Sequence, residues 1–382
     1  MPPHLRPPRA AYLHVPFCRH RCGYCNFTLV AGRDDLTDSY LAALEQELAE
    51  LQTPRAVETL FLGGGTPTHL QPEQLGKLLT LAKTWFPPAL GYEWSVEANP
   101  NDLDDVRCEV LAAAGVTRMS LGVQSFRAAK LKLLERDHSE AQIVAAMRQA
   151  RRFAQSVSLD LIFAAPGETL EEWRRDLELA LALQPDHIST YGLTFEKGTN
   201  FWSRQARGEL PRADEDLEGG MYELAIDTLT AAGFEHYEVS NFARAGHRCR
   251  HNEAYWTGQT FFAAGPGAAR YVEGRREMNH RSTTTYIQRV LSGQSPLAQS
   301  EELAPEDRAR ERLIFGLRRL EGVRLDEFEQ ETGFSVDQLA AAAIHQFVEQ
   351  GFLQREGNIL RLTRRGLLIS DALWPKLLAS HS

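Results

Sequence analysis

The feature that most constrains the fold is a regular alternation, from residue 11 onward, of short β-branched and aromatic runs with longer amphipathic stretches. This alternation is typical of repeated βα units, and it predicts six parallel strands joined by helices. The predicted strands are residues 11–15, 57–63, 92–98, 118–125, 158–164 and 187–195. Right-handed crossovers would place the helices on one side of the sheet. A doubly wound open sheet and a βα barrel both fit this periodicity.

Polar or glycine-rich residues follow nearly every predicted strand and help to choose between these architectures. The segment GGGTPT follows the second strand, Glu97 and Asn99 end the third, Gln124 ends the fourth, and Asp160 lies on the fifth. Both architectures build their sites at the carboxyl ends of parallel strands. A single ligand facing so many strands favours the curvature of a barrel.

The pattern changes in the second half of the chain. After residue 200 the alternation fades, and residues 305–382 predict helices, a short hairpin around Gly357 and a final helix. We therefore divide the chain into a barrel at residues 1–200, a barrel extension with the second motif at residues 201–304, and a winged-helix-like domain at residues 305–382. That last segment carries nearly equal numbers of acidic and basic residues, so it lacks the basic surface of a nucleic-acid-binding domain.

Composition excludes several classes of function. The formal net charge of -9 argues against attraction to nucleic acid or anionic lipid. No apolar run reaches membrane-spanning length, and the N-terminal residues lack the apolar core of a signal peptide. We therefore expect a cytoplasmic protein, in which disulfides are rare. Cys108 reads as a small buried hydrophobe, and the role of Cys249 stays open.

Three cysteines, Cys18, Cys22 and Cys25, lie within eight residues and predict a metal site. Structural zinc with His14 or His20 as fourth ligand is the simplest alternative. Such sites usually join two paired ligand clusters, however, and no second Cys/His pair with that spacing is present nearby. An iron–sulfur cluster explains three thiolates better. A four-iron cubane held by three thiolates leaves one iron open to a substrate or cosubstrate.

The spacing in CRHRCGYC resembles that of the radical S-adenosylmethionine (radical SAM) enzymes, and FLGGGTPT resembles their glycine-rich segment. The resemblance implies a [4Fe-4S] cluster on Cys18, Cys22 and Cys25 whose open iron is chelated by S-adenosylmethionine. One electron from the cluster would then release a 5'-deoxyadenosyl radical. It also implies an α/β fold with a partial (β/α)6 barrel. By position, it implies these S-adenosylmethionine-binding residues: Tyr12, Tyr24, Gly64, Gly65, Thr66, Glu97, Gln124, Arg136 and Asp160.

Further segments, YLHVPFC, EANP, GVQSF, LLERDH and LDLIFAAPGET, resemble the HemN/HemW branch of that superfamily over nearly the whole chain. Its coproporphyrinogen III dehydrogenases carry another cysteine two residues after the third, where this chain has Phe27. They also carry a longer segment before the first strand than the stretch before Tyr12. Both differences match the HemW-type haem chaperones instead.

A second signature, RHNEAYWTG, has the H-N-x-x-Y-W form that the resemblance associates with haem. It would assign haem binding to His251, Asn252, Tyr255 and Trp256. Imidazole is a natural axial ligand of haem iron, and neighbouring aromatic rings offer apolar faces to a flat macrocycle. Packing at a domain junction is the alternative explanation of these residues.

The resemblance implies a radical-SAM-type haem chaperone that binds haem and a [4Fe-4S] cluster and delivers haem to respiratory-chain proteins. The resemblance also implies a low-potential electron donor, a homodimer and peripheral association with the inner face of the membrane. Nucleic acid is not an expected partner, and no catalytic residue is assigned. The alternatives are an oxygen-independent coproporphyrinogen III dehydrogenase and a winged-helix regulator that uses its cluster as a redox sensor.

Overall fold

The structure is a computed structural model that describes residues 7–379. A mixed sheet of twelve strands runs through this part of the chain. The first strands are β1 Ala10–Val15, β2 Phe17–Cys18, β3 Val30–Ala31, β4 Val57–Gly64, β5 Pro88–Ala98, β6 Arg118–Gln124, β7 Ser156–Phe163 and β8 His187–Gly192. The first helices are α1 Thr37–Ala49, α2 Pro72–Trp85, α3 Asp105–Ala114, α4 Ala128–Leu133, α5 Glu140–Arg151, α6 Leu170–Ala182, α7 Asn200–Ala206 and α8 Glu215–Ala231.

Six of these strands form the parallel centre of the sheet, in the order β1-β4-β5-β6-β7-β8. The prediction of six parallel strands is therefore confirmed. Spatial order follows chain order without the reversal that defines a doubly wound sheet. With right-handed crossovers, the helices then cover one side and the sheet curves into a partial (β/α)6 barrel.

Local sequence signals explain where the helices begin. The Thr169 side chain caps α6, and Glu172 completes the capping box by accepting from the Thr169 backbone. Ser139 and Gln142 form the same arrangement at α5. Asp104 caps α3, which ends at Gly115 in the left-handed conformation. These helices pack apolar faces, with Trp173 and Leu111 fully buried, against the sheet.

Some boundaries differ from the sequence prediction. The third parallel strand begins at Pro88 rather than at residue 92, because Pro88 pairs with Val57 although the segment PALG has little β propensity. The sixth ends at Gly192 rather than at residue 195. Tertiary pairing, which no local pattern encodes, sets both limits.

The middle of the chain extends the sheet on both edges. Its elements are β9 Glu235–Glu238, β10 Asn241–Ala243, α9 Arg250–Trp256, β11 Phe261–Ala264, β12 Ala269–Val272, β13 Arg275–Asn279, α10 Thr283–Leu291 and β14 Leu297–Glu302. Strand β11 pairs in parallel with β1, and β12, β13 and β14 continue from it in antiparallel order. The sheet is thus continuous from the barrel to β14, and the domain limits at residues 200 and 304 stay predictions.

The segment YEVSNFA, residues 237–243, contains the end of β9 and all of β10. The chain turns after Glu238, so that β9 and β10 form a hairpin beside β8. The buried Glu238 carboxylate holds this turn, because it accepts hydrogen bonds from the backbone N–H of Ser240 at 2.9 Å and from the Asn241 side chain.

The C-terminal domain packs helices against a three-stranded sheet. Its elements are α11 Pro305–Arg318, β15 Val323–Arg324, α12 Leu325–Thr332, α13 Val336–Glu349, β16 Leu353–Glu356, β17 Ile359–Leu362, α14 Arg364–Leu368 and α15 Ser370–Leu378. Strands β16 and β17 form the predicted hairpin around Gly357. Within residues 7–379, no helix is both long enough and apolar enough to cross a bilayer.

Candidate functional site

A cavity of about 630 Å³, which we call the cysteine cavity, opens at the carboxyl ends of the parallel strands. The loop after β1 forms one wall, and the ends of β4 to β8 form the others. Most of the predicted cluster and S-adenosylmethionine residues meet here. They are Cys18, Cys22, Tyr24, Cys25, Gly64, Gly65, Thr66, Glu97, Gln124, Arg136 and Asp160.

The three cysteines are held in a tight loop. Cys18 lies on β2, which pairs with β3, and the Cys25 N–H donates to the Cys22 carbonyl at 3.0 Å. The Cys18 Sγ lies 3.3 Å from the Thr66 hydroxyl, and Arg136 donates to the Cys22 Sγ at 3.6 Å. Burial raises the pKa of Cys18 to about 12, so its thiolate form requires a bound cation.

The two histidines of the structural zinc alternative have other hydrogen-bond partners, although the His20 Nε2 also lies 3.6 Å from the Cys22 Sγ. Within the described residues, no group of three or more His, Cys, Asp or Glu side chains is placed to hold a metal ion. Both ring nitrogens of His14 are engaged, one with the Tyr12 hydroxyl at 3.0 Å and one with the Thr28 carbonyl at 2.6 Å. The His20 ring bonds the Glu135 carbonyl. Three thiolates that line one cavity fit a cluster in which each thiolate binds its own iron.

The glycine-rich turn after β4 forms the floor of the cavity. Gly64 has a φ of +103°, and a Cβ there would lie 2.2 Å from the His14 ring. A Cβ on Gly65 would lie 2.6 Å from the Val15 carbonyl oxygen. Only glycine fits at both positions. The backbone of this turn is therefore open to a ligand, with Thr66 beside it.

Arg136 supplies a fixed cation to the cavity wall. Its guanidinium donates to the Asn99 side chain at 2.5 Å and to the Gly122 carbonyl at 2.7 Å, which sets its orientation. Its Nε is buried and has no hydrogen-bond partner within the described part of the chain. A buried donor without a partner is costly unless a ligand satisfies it. The arrangement fits an anionic group such as a carboxylate.

Half-buried polar side chains line the same cavity. Burial raises the pKa of Glu97 to about 7, although Glu97 accepts a hydrogen bond from the Gly64 N–H at 2.9 Å. Burial also raises the pKa of Asp160, which accepts from Ser120 at 2.9 Å and from Ser158 at 3.5 Å. Gln124 has a φ of +64°, a strained conformation for a non-glycine residue and one that recurs at binding sites. These groups fit ligand hydroxyls.

The cavity also contains residues that were not predicted as site residues. They include Asn99, Asp102, Ser120 and Tyr191. Asp102 pairs with Arg19 at 2.9 Å through one carboxylate oxygen, while the other is buried without a partner. Asn99, Asp102 and Tyr191 lie at or just after a strand end, the signal that already indicated Asn99, whereas Ser120 lies within β6 and carries no such signal. Phe27, at the mouth of the cavity, is 64% exposed.

A second cavity, of about 530 Å³, lies among α9, the strands β11 to β13, and α11 and α12. We call it the aromatic cavity. Tyr255 and Trp256 of the predicted haem motif line it, and so does Tyr12, which does not line the cysteine cavity. Phe261, Tyr271 and Phe315 complete its aromatic walls. The indole Nε1 of Trp256 is buried and has no hydrogen-bond partner among residues 7–379, so the cavity combines flat apolar faces with an unpaired donor.

The other two residues of the motif do not line this cavity. His251 lies behind Tyr255, with one ring nitrogen 2.8 Å from the Tyr255 hydroxyl and the other 3.0 Å from the Thr59 hydroxyl. Burial lowers the pKa of His251 to about 3, so the ring is neutral. Asn252 is half-buried on the same helix. The motif is therefore split between the cavity wall and the layer behind it.

The two isolated cysteines lie outside both cavities. Cys108 is 3% exposed in the apolar core, which confirms its interpretation as a small buried hydrophobe. Cys249 precedes α9, and its thiol donates to Glu93 at 3.7 Å. Burial raises the pKa of Cys249 to about 12. A neutral thiol in this position acts as packing and as a hydrogen-bond donor.

Comparison with known proteins supports the family assignment. The Radical SAM superfamily matches residues 12–180, and the HemN C-terminal domain matches residues 303–369. The chain is 34% identical over 372 residues to the protein named heme chaperone HemW from Bacillus subtilis, covering 96% of this chain and 98% of that protein. This chain belongs to the HemW family of the radical SAM superfamily.

Other HemW relatives extend this match. The heme chaperone HemW of Mycobacterium tuberculosis is 37% identical over 382 residues, which cover 97% of this chain and 95% of that protein. The structure also resembles the solved structure of coproporphyrinogen III oxidase (HemN) from Escherichia coli, a radical SAM enzyme. The match covers 97% of this chain and 91% of the HemN chain, with a TM-score of 0.85 and 24% sequence identity. That similarity shows the shared fold. Membership of the radical SAM superfamily implies a [4Fe-4S] cluster and S-adenosylmethionine.

Proposed function

We propose that this protein is a haem chaperone, which binds haem in the aromatic cavity and passes it to acceptor proteins of the respiratory chain. The observation that carries the proposal is the aromatic cavity itself, because its walls contain Tyr255 and Trp256 of the H-N-x-x-Y-W motif. Its volume of about 530 Å³ lies in the range of pockets that hold cofactor-sized ligands. The HemW names of the relatives support haem as the ligand.

In the cysteine cavity, Cys18, Cys22 and Cys25 hold the cluster, which supplies one electron to S-adenosylmethionine when both are bound. Arg136 pairs with the methionine carboxylate through its free Nε, and the Gly64–Gly65–Thr66 turn receives the methionine group. Tyr24 offers its backbone to the adenine. Glu97, Gln124 and Asp160 bind hydroxyl groups. Tyr12 lies outside the cysteine cavity and acts on it indirectly, because its hydroxyl lies 3.0 Å from the His14 ring.

In the aromatic cavity, the haem macrocycle packs against Tyr255 and Trp256. For His251 to bind the iron, the Tyr255 hydroxyl must leave the imidazole nitrogen from which it is 2.8 Å away. Haem entry therefore includes a rotation of Tyr255. Asn252, on the same turn of α9, supports the motif from outside the cavity.

The proposal extends to partners and location. Haem transfer requires acceptor proteins, and the cluster requires a low-potential electron donor. A homodimer is the assembly we propose. We place the protein in the cytoplasm, with peripheral contact at the inner face of the membrane during transfer.

Coproporphyrinogen III dehydrogenase activity is the main competing function, because HemN shares the fold. The cysteine motif argues against it. Phe27 occupies the position at which the dehydrogenases carry a further cysteine, and its phenyl ring cannot replace a thiol group.

An anaerobic haem titration of cluster-reconstituted protein, followed by desalting and absorbance, tests the proposal. Wild type should retain about one haem per chain, and His251→Ala should release it, since loss of an axial ligand weakens such a site by a large factor. His345→Ala is the control, because that side chain is 76% exposed on α13. If wild type retains no haem, the proposal is wrong, and turnover of coproporphyrinogen III becomes the next assay.

A further inference from the structure

We propose that the aromatic cavity selects ligands that carry carboxylates, and that Arg308 of the C-terminal domain is the residue that binds a carboxylate there. This inference rests on the proposed function, since haem is the flat carboxylate-bearing ligand in question. It assigns a recognition role to a helix that lies outside the H-N-x-x-Y-W motif.

One face of α11 forms a wall of the cavity. Arg308, Glu311, Arg312 and Phe315 line it. Their spacing of three, four and seven residues places them in one stripe on the helix. The C-terminal domain therefore contributes a charged edge to a cavity whose other walls are mostly aromatic.

Two of the three arginines at this edge are already paired. Arg276 contacts Glu301 at 2.6 Å and Glu311 at 2.9 Å. Arg312 contacts Glu331 at 3.3 Å, although its Nε is buried and has no partner among the residues that the structure describes. The carboxylates at this edge are thus engaged by these two cations.

Arg308 differs from both. Among residues 7–379, the hydrogen bond found for its guanidinium goes to the Leu303 carbonyl at 2.6 Å, and no carboxylate lies within 4.0 Å. It is half-buried, so its charge is less screened than on an open surface. A guanidinium with open donors beside an aromatic cavity is suited to a carboxylate attached to an apolar ring system.

Haem satisfies this pattern, because its two propionates extend from one edge of the macrocycle. The aromatic walls would take the macrocycle, and the α11 edge would take the propionates. Arg308 would form the first ion pair, and the free Nε of Arg312 would donate the second hydrogen bond.

The test compares haem with haem dimethyl ester, in which both carboxylates are blocked. Affinities are measured by Soret absorbance for wild type, Arg308→Gln and Arg324→Gln, the last being an exposed arginine of the same domain. We expect wild type to bind the free acid about tenfold more tightly than the ester, as a charge-assisted hydrogen bond implies. Arg308→Gln should lose most of that preference while its affinity for the ester stays unchanged. Arg324→Gln should behave as wild type.

The outcomes separate this inference from the proposed function. If wild type binds both porphyrins equally well, or if Arg308→Gln weakens both equally, the carboxylate role of Arg308 is wrong while haem binding stands. If wild type binds neither porphyrin, both proposals fail. Arg308→Lys, which keeps the charge but loses the planar fork, should recover part of the preference and thereby excludes a folding defect.

Discussion

Glu97 shows how a single buried side chain responds to the environment of the cysteine cavity. The carboxyl is half-buried in the cavity wall, and this burial raises its pKa to about 7. The folded protein thus binds this proton more tightly than the unfolded chain, in which the pKa stays near 4.5. The resulting stabilisation is fully present below pH 4.5 and is lost as the pH rises through about 7.

We expect Glu97→Gln to remove this dependence, because the amide resembles the protonated acid in shape and carries no charge. Relative to the variant, wild-type protein without cofactors should lose about 3 kcal/mol of unfolding free energy between about pH 5 and about pH 8. Urea unfolding of both proteins across this range measures the difference. A difference that does not change with pH would show that Glu97 titrates as an exposed acid does.

At Arg136 we expect geometry to matter as much as charge. Arg136→Lys keeps a cation but loses the planar fork that now reaches Asn99 and Gly122 and presents the unpartnered Nε. S-Adenosylmethionine should bind about tenfold more weakly, with unchanged iron content. Anaerobic calorimetry measures the affinity, and Arg148→Lys on the exposed face of α5 is the control. Equal affinity for all three proteins would remove Arg136 from the site.

At the scale of elements, the turn after β4 depends on glycine for two separable reasons. Gly64 combines a positive φ with a close approach to His14. Gly91 has a φ of +70°, but a Cβ added there would meet no atom within 4 Å. Strain from φ is therefore common to both positions, and the steric clash is specific to Gly64.

Gly64→Ala should consequently destabilise the protein by more than Gly91→Ala does. The φ strain alone costs about 1 kcal/mol, and the clash with a buried ring adds about 1–3 kcal/mol. Denaturant unfolding of the two variants provides the comparison. If both variants lose the same free energy, His14 can move aside and the turn is less tightly packed than the distances indicate.

The elements also show what local sequence can predict. The six parallel strands were predictable because buried strands carry continuous β-branched and apolar runs. The hairpin of β9 and β10 was not, because its turn depends on the Glu238 carboxylate and not on a glycine or proline signal. In the cysteine cavity, the three cysteines were predictable because they lie within eight residues of the sequence. Arg308 was not, since it reaches the aromatic cavity from a different domain.

At the scale of the whole molecule, the two cavities use different parts of the chain. The cysteine cavity is built mainly from the barrel strands and their loops, with Asp371 of α15 also lining it, while the aromatic cavity joins α9 to α11. The pairing of Trp256 with Arg318, whose guanidinium lies 4.4 Å from the indole ring, also connects these two helices.

Haem should therefore protect both helices together. We expect amide hydrogen exchange in α9 and α11 to slow when haem is added, because the ligand fills the space between them. Exchange in α3, which packs against α2 and α5 away from the cavity, should not change. Slower exchange confined to the cysteine loop would show that haem binds in the cysteine cavity and not in the aromatic cavity.

Tyr12 links the two cavities through the alternation of side chains along β1. Its ring lines the aromatic cavity, and its hydroxyl bonds His14, which contacts Gly64 and the Thr28 carbonyl behind the cysteine loop. The Tyr12 ring would thus contact a ligand in the aromatic cavity directly and would reach a ligand in the cysteine cavity through His14. A fluorine atom introduced on that ring would give a single NMR resonance whose position reports the filling of either cavity, so that both loading steps could be followed in one sample.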